Sequence, residues 1–329
     1  MIVSVGEEFL RLTEEQKELD ALEMIDILKH GHYLTMEPRV QKNVTDFIVE
    51  HLLPSHKRYF EDATEYIKPA KMMKRWLHTI SFYAFNKEQR DILLQKPSEL
   101  LVENAPNEWP IYKNICQAYS KDDSYSSIFK YLARAVFVQK GVIGVQAGGK
   151  TEIPAMIDFK NLNEFKGLYK YKVLVLFDRD TNDANSFAED NKNLFIKLAH
   201  KTNVEITDDD IYKLDFGDDF IWHSWYKRAI ENYFPKEEYI KLGLDMSDYP
   251  NDENKYDYTK FPIESTKEWK DTHKSKKDKK KDKYEKKMMQ NIGKDMEKSD
   301  YEKNLKTFNI DGNELSEFQL FLLKLAKIA

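Results

Sequence analysis

A single cysteine, Cys116, in 329 residues leaves no internal disulfide framework and no zinc site built from several thiolates. Long apolar runs are missing too: nothing approaches the ~18 consecutive apolar residues of a membrane span. The opening stretch MIVSVGEEFLRLTEEQKE has no basic segment followed by a long apolar one, so no signal peptide is expected. The chain therefore reads as cytoplasmic and not engaged with a membrane. Charge of one sign is also absent. The 52 lysines and arginines against 57 acidic residues give a net charge of −5. That balance argues against a protein that coats nucleic acid, while leaving room for a local basic groove. Gly144 to Thr151 match the spacing Gly-x4-Gly-Lys-Thr, but GVIGV reads as an apolar strand with Gly144 inside it and a Gly-Gly turn after it, so ATP binding of the phosphate-loop kind is not expected.

What is present is ample core material, 41% hydrophobic and 13% aromatic. Residues 1–97 read as a helical region, because Phe9, Leu12, Leu19, Leu22, Ile25 and Leu28 recur near the helical period and residues 40–67 continue the pattern, with a break at Pro54. Four of the eight histidines lie close together here, His30, His32, His51 and His56, with His78 further along. No carboxylate or cysteine stands beside them at a zinc-like spacing, so packing or surface roles are expected over a metal site. From about residue 98 the pattern changes. Short unbroken apolar runs, ELLV, GVIGV and KVLVLF, alternate with amphipathic stretches, and DIYKLDF reads as a further short strand. Continuous rather than alternating apolarity is the mark of a parallel sheet buried on both faces. Residues 236–329 read as a charged helical C-terminal region. Its lysine run at 266–289 is either a solvated segment or a surface for phosphate backbones. Leu315, Phe318, Leu322 and Leu325 mark a packing helix near its end.

The most informative stretch is KVLVLFDRDTND, where five apolar residues, Val173 to Phe177, lead into Asp178 and Asp180. In extended backbone, side chains two apart point to one face, so the two carboxylates would share a site. At ~4 Å they would repel by roughly 4 kcal/mol at an effective dielectric of 20. Such a pair needs a proton, a basic neighbour or a hard cation such as magnesium. Ligands of open parallel sheets collect at the carboxyl ends of the strands. Two other expected strands end suggestively as well, one at Glu103 and one at Gly148-Gly149-Lys150.

Taken in order, LLVENAPNEW, VQAGGKTEIPAMI, VLVLFDRDTND and YKRAIENYFP resemble the TOPRIM domain, and within it the nucleases of the OLD family. The resemblance covers roughly residues 98–235. It implies an α/β fold with a Rossmann-like, mostly parallel four-stranded sheet and flanking helices. It also implies a magnesium- or manganese-dependent nuclease acting on DNA or RNA. By this likeness Glu103, Asp178 and Asp180 are metal ligands, Glu231 serves a second metal, and Lys150 contacts phosphate or stabilises transition-state charge. Lys227 and Arg228 would hold the nucleic-acid backbone. Relatives of this kind often act in bacterial anti-phage defence, with an ABC-type ATPase as partner, and a homo-oligomer is compatible with that. The sequence departs from the family in three places: Asn104 replaces a glycine, Asn107, with Glu108 beside it, replaces an acid, and Asn182, followed by Asp183, ends the aspartate motif.

Other readings stay open. A TOPRIM scaffold that has lost catalysis could serve as a regulatory module. A haloacid-dehalogenase-type phosphatase also places a DxD after an apolar strand, although usually near the start of its domain. In FIWHSWYKRAIENYF a packed helix is expected rather than a base-stacking platform, with His223 on the helix face.

Overall fold

The computed structural model describes residues 1–67, 69, 71–121, 125–183, 189–198, 221–261, 291–303, 305–310 and 312–329. Residues 1–97 depart from the helical expectation. Strands β1 (Ile2–Val5), β2 (Tyr33–Met36) and β3 (Thr79–Ser81) form a parallel sheet in the order β2-β1-β3. Each is only three or four residues long, too short for an alternating pattern to stand out beside the helices around it. The helices are there as expected: α1 (Glu14–Lys29), α2 (Pro38–His51), α3 (Pro54–Asp62), α4 (Lys71–Trp76) and α5 (Lys87–Gln95). Two begin with reciprocal caps. Thr13 and Gln16 close α1, and Asn86 and Gln89 close α5, each side chain accepting from the other's backbone N–H. Pro38 and Pro54 sit in the first turns of α2 and α3, where a missing N–H costs nothing. Met24, Ile25 and Leu28 of α1 and Val40, Val44 and Ile48 of α2 are buried in the core that β1 shares.

The region from residue 98 is α/β, with a parallel four-stranded sheet and flanking helices. Its strands are β4 (Ser98–Val102), β5 (Val142–Gln146), β6 (Val173–Phe177) and β7 (Ile221–Ser224), in the order β5-β4-β6-β7. Every residue of β4, β6 and β7 is buried, which accounts for the apolar runs LLV in β4 and VLVLF in β6. The chain crosses from β4 to β5 on one side and returns to β6 on the other. The order therefore switches at β4, and the carboxyl ends of β4 and β6 open side by side. Helices α6 (Ala105–Tyr119) and α7 (Ser126–Phe137) follow β4, α8 (Ile153–Asn163) follows β5 and α9 (Glu189–Leu198) follows β6.

The described part of FIWHSWYKRAIENYF, IWHSWYKRAIENYF from Ile221, is not a helix. Its first part is the strand β7, residues 225–229 have neither helix nor strand, and Ile230–Tyr233 make a single 3-10 turn. The packing role does hold: Trp225 is fully buried against Tyr233, Phe318 and Phe321, with ring centroids 5.4, 5.7 and 5.2 Å away. The C-terminal region is not wholly helical either, since Thr307–Ile310 and Asn313–Ser316 pair as an antiparallel hairpin. The closing helix, Glu317–Ile328, is buried along its whole length. It packs on β6, β7, α4 and α7 and so ties the N-terminal region to the four-stranded sheet. The expected strand DIYKLDF and the lysine run lie outside the described residues. Among those described, no helix is long and apolar enough to cross a membrane.

One close approach fixes α6 on the sheet. Gly144 in β5 lies beneath the Trp109 ring, and a β-carbon there would come within 2.7 Å of it. Gly144→Ala should therefore push α6 outward and cost about 1–3 kcal/mol, as overpacking does. The urea unfolding midpoint, at unchanged slope, would report it.

Candidate active site

Two strand ends, the first turn of α6 and the loop after β7 deliver the acidic side chains to a single region. Glu103 follows β4 directly and Asp178 follows β6 directly. Asp180 does not continue the strand. Its φ is +56°, a left-handed conformation that aspartate tolerates better than most residues, and its N–H donates to Arg228 O at 2.9 Å. The extended-strand geometry expected for Asp178 and Asp180 is thus replaced by a turn. Asn191 of α9, fully buried, secures that turn by donating through Nδ2 to Asp178 O and Arg179 O, both at 2.6 Å.

The Gly148-Gly149 turn brings Lys150 back over these ends. Both glycines have positive φ, +86° and +138°, which side-chain-bearing residues rarely adopt. Lys150 Nζ pairs with Asp180 Oδ2, stands 3.6 Å from Glu103 Oε1 and donates to Asp178 O at 3.2 Å. Arg228 approaches from the loop after β7, with Nη2 4.0 Å from Asp180 Oδ1 and Nη1 donating to Thr181 O at 3.0 Å. In the same loop Ile230 N donates to Asp178 Oδ1 at 3.3 Å, and Glu231 follows.

A fifth carboxylate belongs here that the sequence reading noted only as a neighbour of Asn107. Glu108, in the first turn of α6, accepts from Asn104 N at 2.7 Å and from Tyr112 OH at 2.8 Å. Its signal in the sequence was a carboxylate one helical turn past a strand-end acid. Burial, with Glu231 and Glu103 adding repulsion, pushes its carboxyl up to about 7. Burial likewise holds Asp178 well above the usual carboxylate range, with Glu231, Glu108, Asp180 and Glu103 all contributing. Glu231 is raised by burial and by Asp180 and Glu103. Glu103 is raised by burial and by Asp180, against the pull of Lys150.

Two of the expected residues lie apart from this cluster. Lys227 is buried and pairs with Asp257 at 2.6 Å, facing a cavity of about 300 Å³ lined also by Asn232, Tyr256 and Lys303. It is not available to a phosphate backbone as placed. His223 is a strand residue fully buried beside Trp225 and Phe321, and burial followed by Lys324 holds it well below its usual range. The N-terminal histidines do not converge. His32 bonds Leu94 O, His30 bonds Asp26 O and His51 stacks on Phe47.

Hard oxygen donors crowded at strand ends suit a divalent cation. Glu103 Oε1 and Asn107 Oδ1, both buried and lacking a hydrogen-bond donor, fit such an ion. As placed, however, no three acidic, histidine or cysteine side chains among the described residues converge closely enough to hold one. Lys150 and Arg228 supply the positive charge instead. Comparison with models of known families, with curated proteins and with solved structures finds no match.

The raised carboxyls set a pH dependence. A group whose folded pKa lies above its unfolded value stabilises the fold at low pH, and that contribution is lost as pH rises through the folded value. For Glu108 the loss runs from about 4.5 to about 7. A cation that needs these groups deprotonated should restore it. Millimolar MgCl2 or MnCl2 should therefore raise the thermal midpoint more at about pH 8 than at about pH 5.5, and Glu108→Gln should shrink that difference. An equal shift at both pH values would count against cation binding by these groups.

Proposed function

We propose that the chain is a TOPRIM-type nuclease that hydrolyses phosphodiester bonds in DNA or RNA with magnesium or manganese. The observation that carries this reading is the convergence of Glu103, Glu108, Asp178, Asp180 and Glu231 at the carboxyl ends of a parallel sheet, with Lys150 among them. The order of the motifs along the chain supports it. So does a sheet in which the strands ending at Glu103 and Asp178 lie side by side.

Glu103, Asp178 and Asp180 would hold one ion, and Glu231 with Glu108 a second. When bound, the ions supply positive charge that polarises a phosphoryl oxygen and eases loss of a proton from water. The chain's own groups do the rest. Lys150, on its glycine turn, offsets charge that develops on the phosphate. Arg228 is placed to orient a phosphate oxygen. Glu108, with a carboxyl near neutrality, is suited to take up and return a proton. A role in anti-phage defence, with an ABC-type ATPase as partner, fits this activity and is part of the proposal.

One observation favours a second reading, a regulatory TOPRIM scaffold without catalysis. Lys150 already lies between Glu103 and Asp180, where a cation would otherwise sit. The two readings separate on a simple assay. Plasmid DNA and a structured RNA are incubated with the protein, with and without manganese. Cutting that needs the metal and falls at least ~100-fold in Asp178→Ala and Glu103→Ala is expected of the nuclease. No cutting of either substrate, alone or with a cognate ATPase, would leave the scaffold. Lys150→Met provides a further check. It should bind manganese more tightly than wild type by calorimetry, because the competing ammonium is gone, while cutting slows.

A further inference from the structure

We propose that Glu317, in the first turn of the closing helix, is a positioning residue for the acidic site, fastening the loop that carries Arg228 and Glu231. The inference rests on the nuclease reading only for what the site binds. Residues 225–229 lack regular backbone pairing, so their path is set by the groups that accept their N–H bonds. Glu317 Oε1 accepts from Tyr226 N at 2.6 Å, and Oε2 accepts from the Tyr233 hydroxyl. The same hydroxyl takes Tyr226 N and Lys227 N, each at 3.0 Å. One carboxylate thus clasps the loop at both ends. Between the two clasped tyrosines lie the groups that reach the strand ends: Arg228, whose O receives Asp180 N, Ile230, whose N–H meets Asp178, and Glu231.

Packing alone does not account for an acid here. Glu317 is fully buried, within an aromatic cluster that includes Trp225, Tyr233 and Phe318, and a buried carboxylate is costly unless its oxygens are satisfied. Among the described residues no lysine or arginine bonds it directly. Lys324, also buried on the same helix, donates to Trp222 O at 2.9 Å instead. His223 Nε2 stands 3.8 Å from Glu317 Oε1. Burial lifts the Glu317 carboxyl to about 7, against the pull of its two donors. The helix start partly offsets this cost, since an acid in a first turn meets the positive end of the dipole. Ser316 and Gln319 cap that turn reciprocally, which holds the carboxylate in place.

The test compares Glu317→Ala, Glu317→Gln and Tyr233→Phe with Ile25→Ala, a core change in the N-terminal region. Amide exchange is read by mass spectrometry without metal, and manganese affinity by calorimetry. Exchange across 226–231 should quicken in Glu317→Ala and Tyr233→Phe but not in Ile25→Ala. Manganese affinity should fall about tenfold or more in the same two variants, as when an outer support of a metal site is removed. Glu317→Gln, which keeps one acceptor for Tyr226 N, should stay close to wild type. If Glu317→Ala does not fold, Tyr233→Phe and Glu317→Gln still decide. Unchanged loop exchange, or an equal loss of affinity in Ile25→Ala, would overturn the proposal. Wild type that binds no manganese, with loop exchange changed as expected, would refute the metal reading and leave the clasp standing.

Discussion

Repulsion among carboxylates is the constraint on which the site depends. Five acidic side chains meet where β4 and β6 end, and among the described residues Lys150 and Arg228 face them with opposite charge. In a partly buried setting each uncompensated pair costs several kcal/mol at most and on the order of 1 kcal/mol where solvent reaches it. Neighbouring features are arranged to contain that cost. The Gly-Gly turn returns Lys150, the left-handed backbone at Asp180 brings its N–H to Arg228 O, and Asn191 pins the carbonyls of Asp178 and Arg179. What remains is held as raised carboxyl pKa values, a condition common to sites that take up protons or cations.

The site draws on more of the chain than the motif region. Residues 98–235 supply the charged groups, but the closing helix supplies the acceptor for the loop over them, and Asp257 takes Lys227 out of reach of solvent ligands. The same helix packs on α4 of the N-terminal region, and just past its end Ala329 O accepts from Met1 N at 2.9 Å, beside β1. A boundary drawn at residue 235 separates sequence patterns, whereas the core runs through it.

Much of this is legible in the sequence, for physical reasons. β4 and β6 are central strands, so their apolar runs are continuous and stand out, and the acids that follow them are placed by the strand ends themselves. The first three strands were not readable, because three or four residues give no period. The stretch 221–234 misled because its aromatics occur at spacings that a helix and a packed loop share, and only the pairing of β7 with β6 decides between them. Lys227 and Arg228 are adjacent in sequence yet face opposite ways. Which of the two meets Asp180 follows from Arg228 N donating to Asp257 O at 2.9 Å while Arg228 O receives Asp180 N, contacts between residues far apart in the chain. Glu108 was in view but undervalued, since its importance comes from burial beside Glu231 rather than from its place in a motif.

The burial of the closing helix on every side has a consequence in time. During synthesis the sheet, the glycine turn and the aspartates emerge well before Glu317 does. Until that helix follows, Tyr226 and Tyr233 have no carboxylate to grip, and its apolar surface has no core to fill. A half-made chain therefore carries the acidic groups without the fixed loop across them, and the growing polypeptide passes through synthesis with its acidic cluster unassembled.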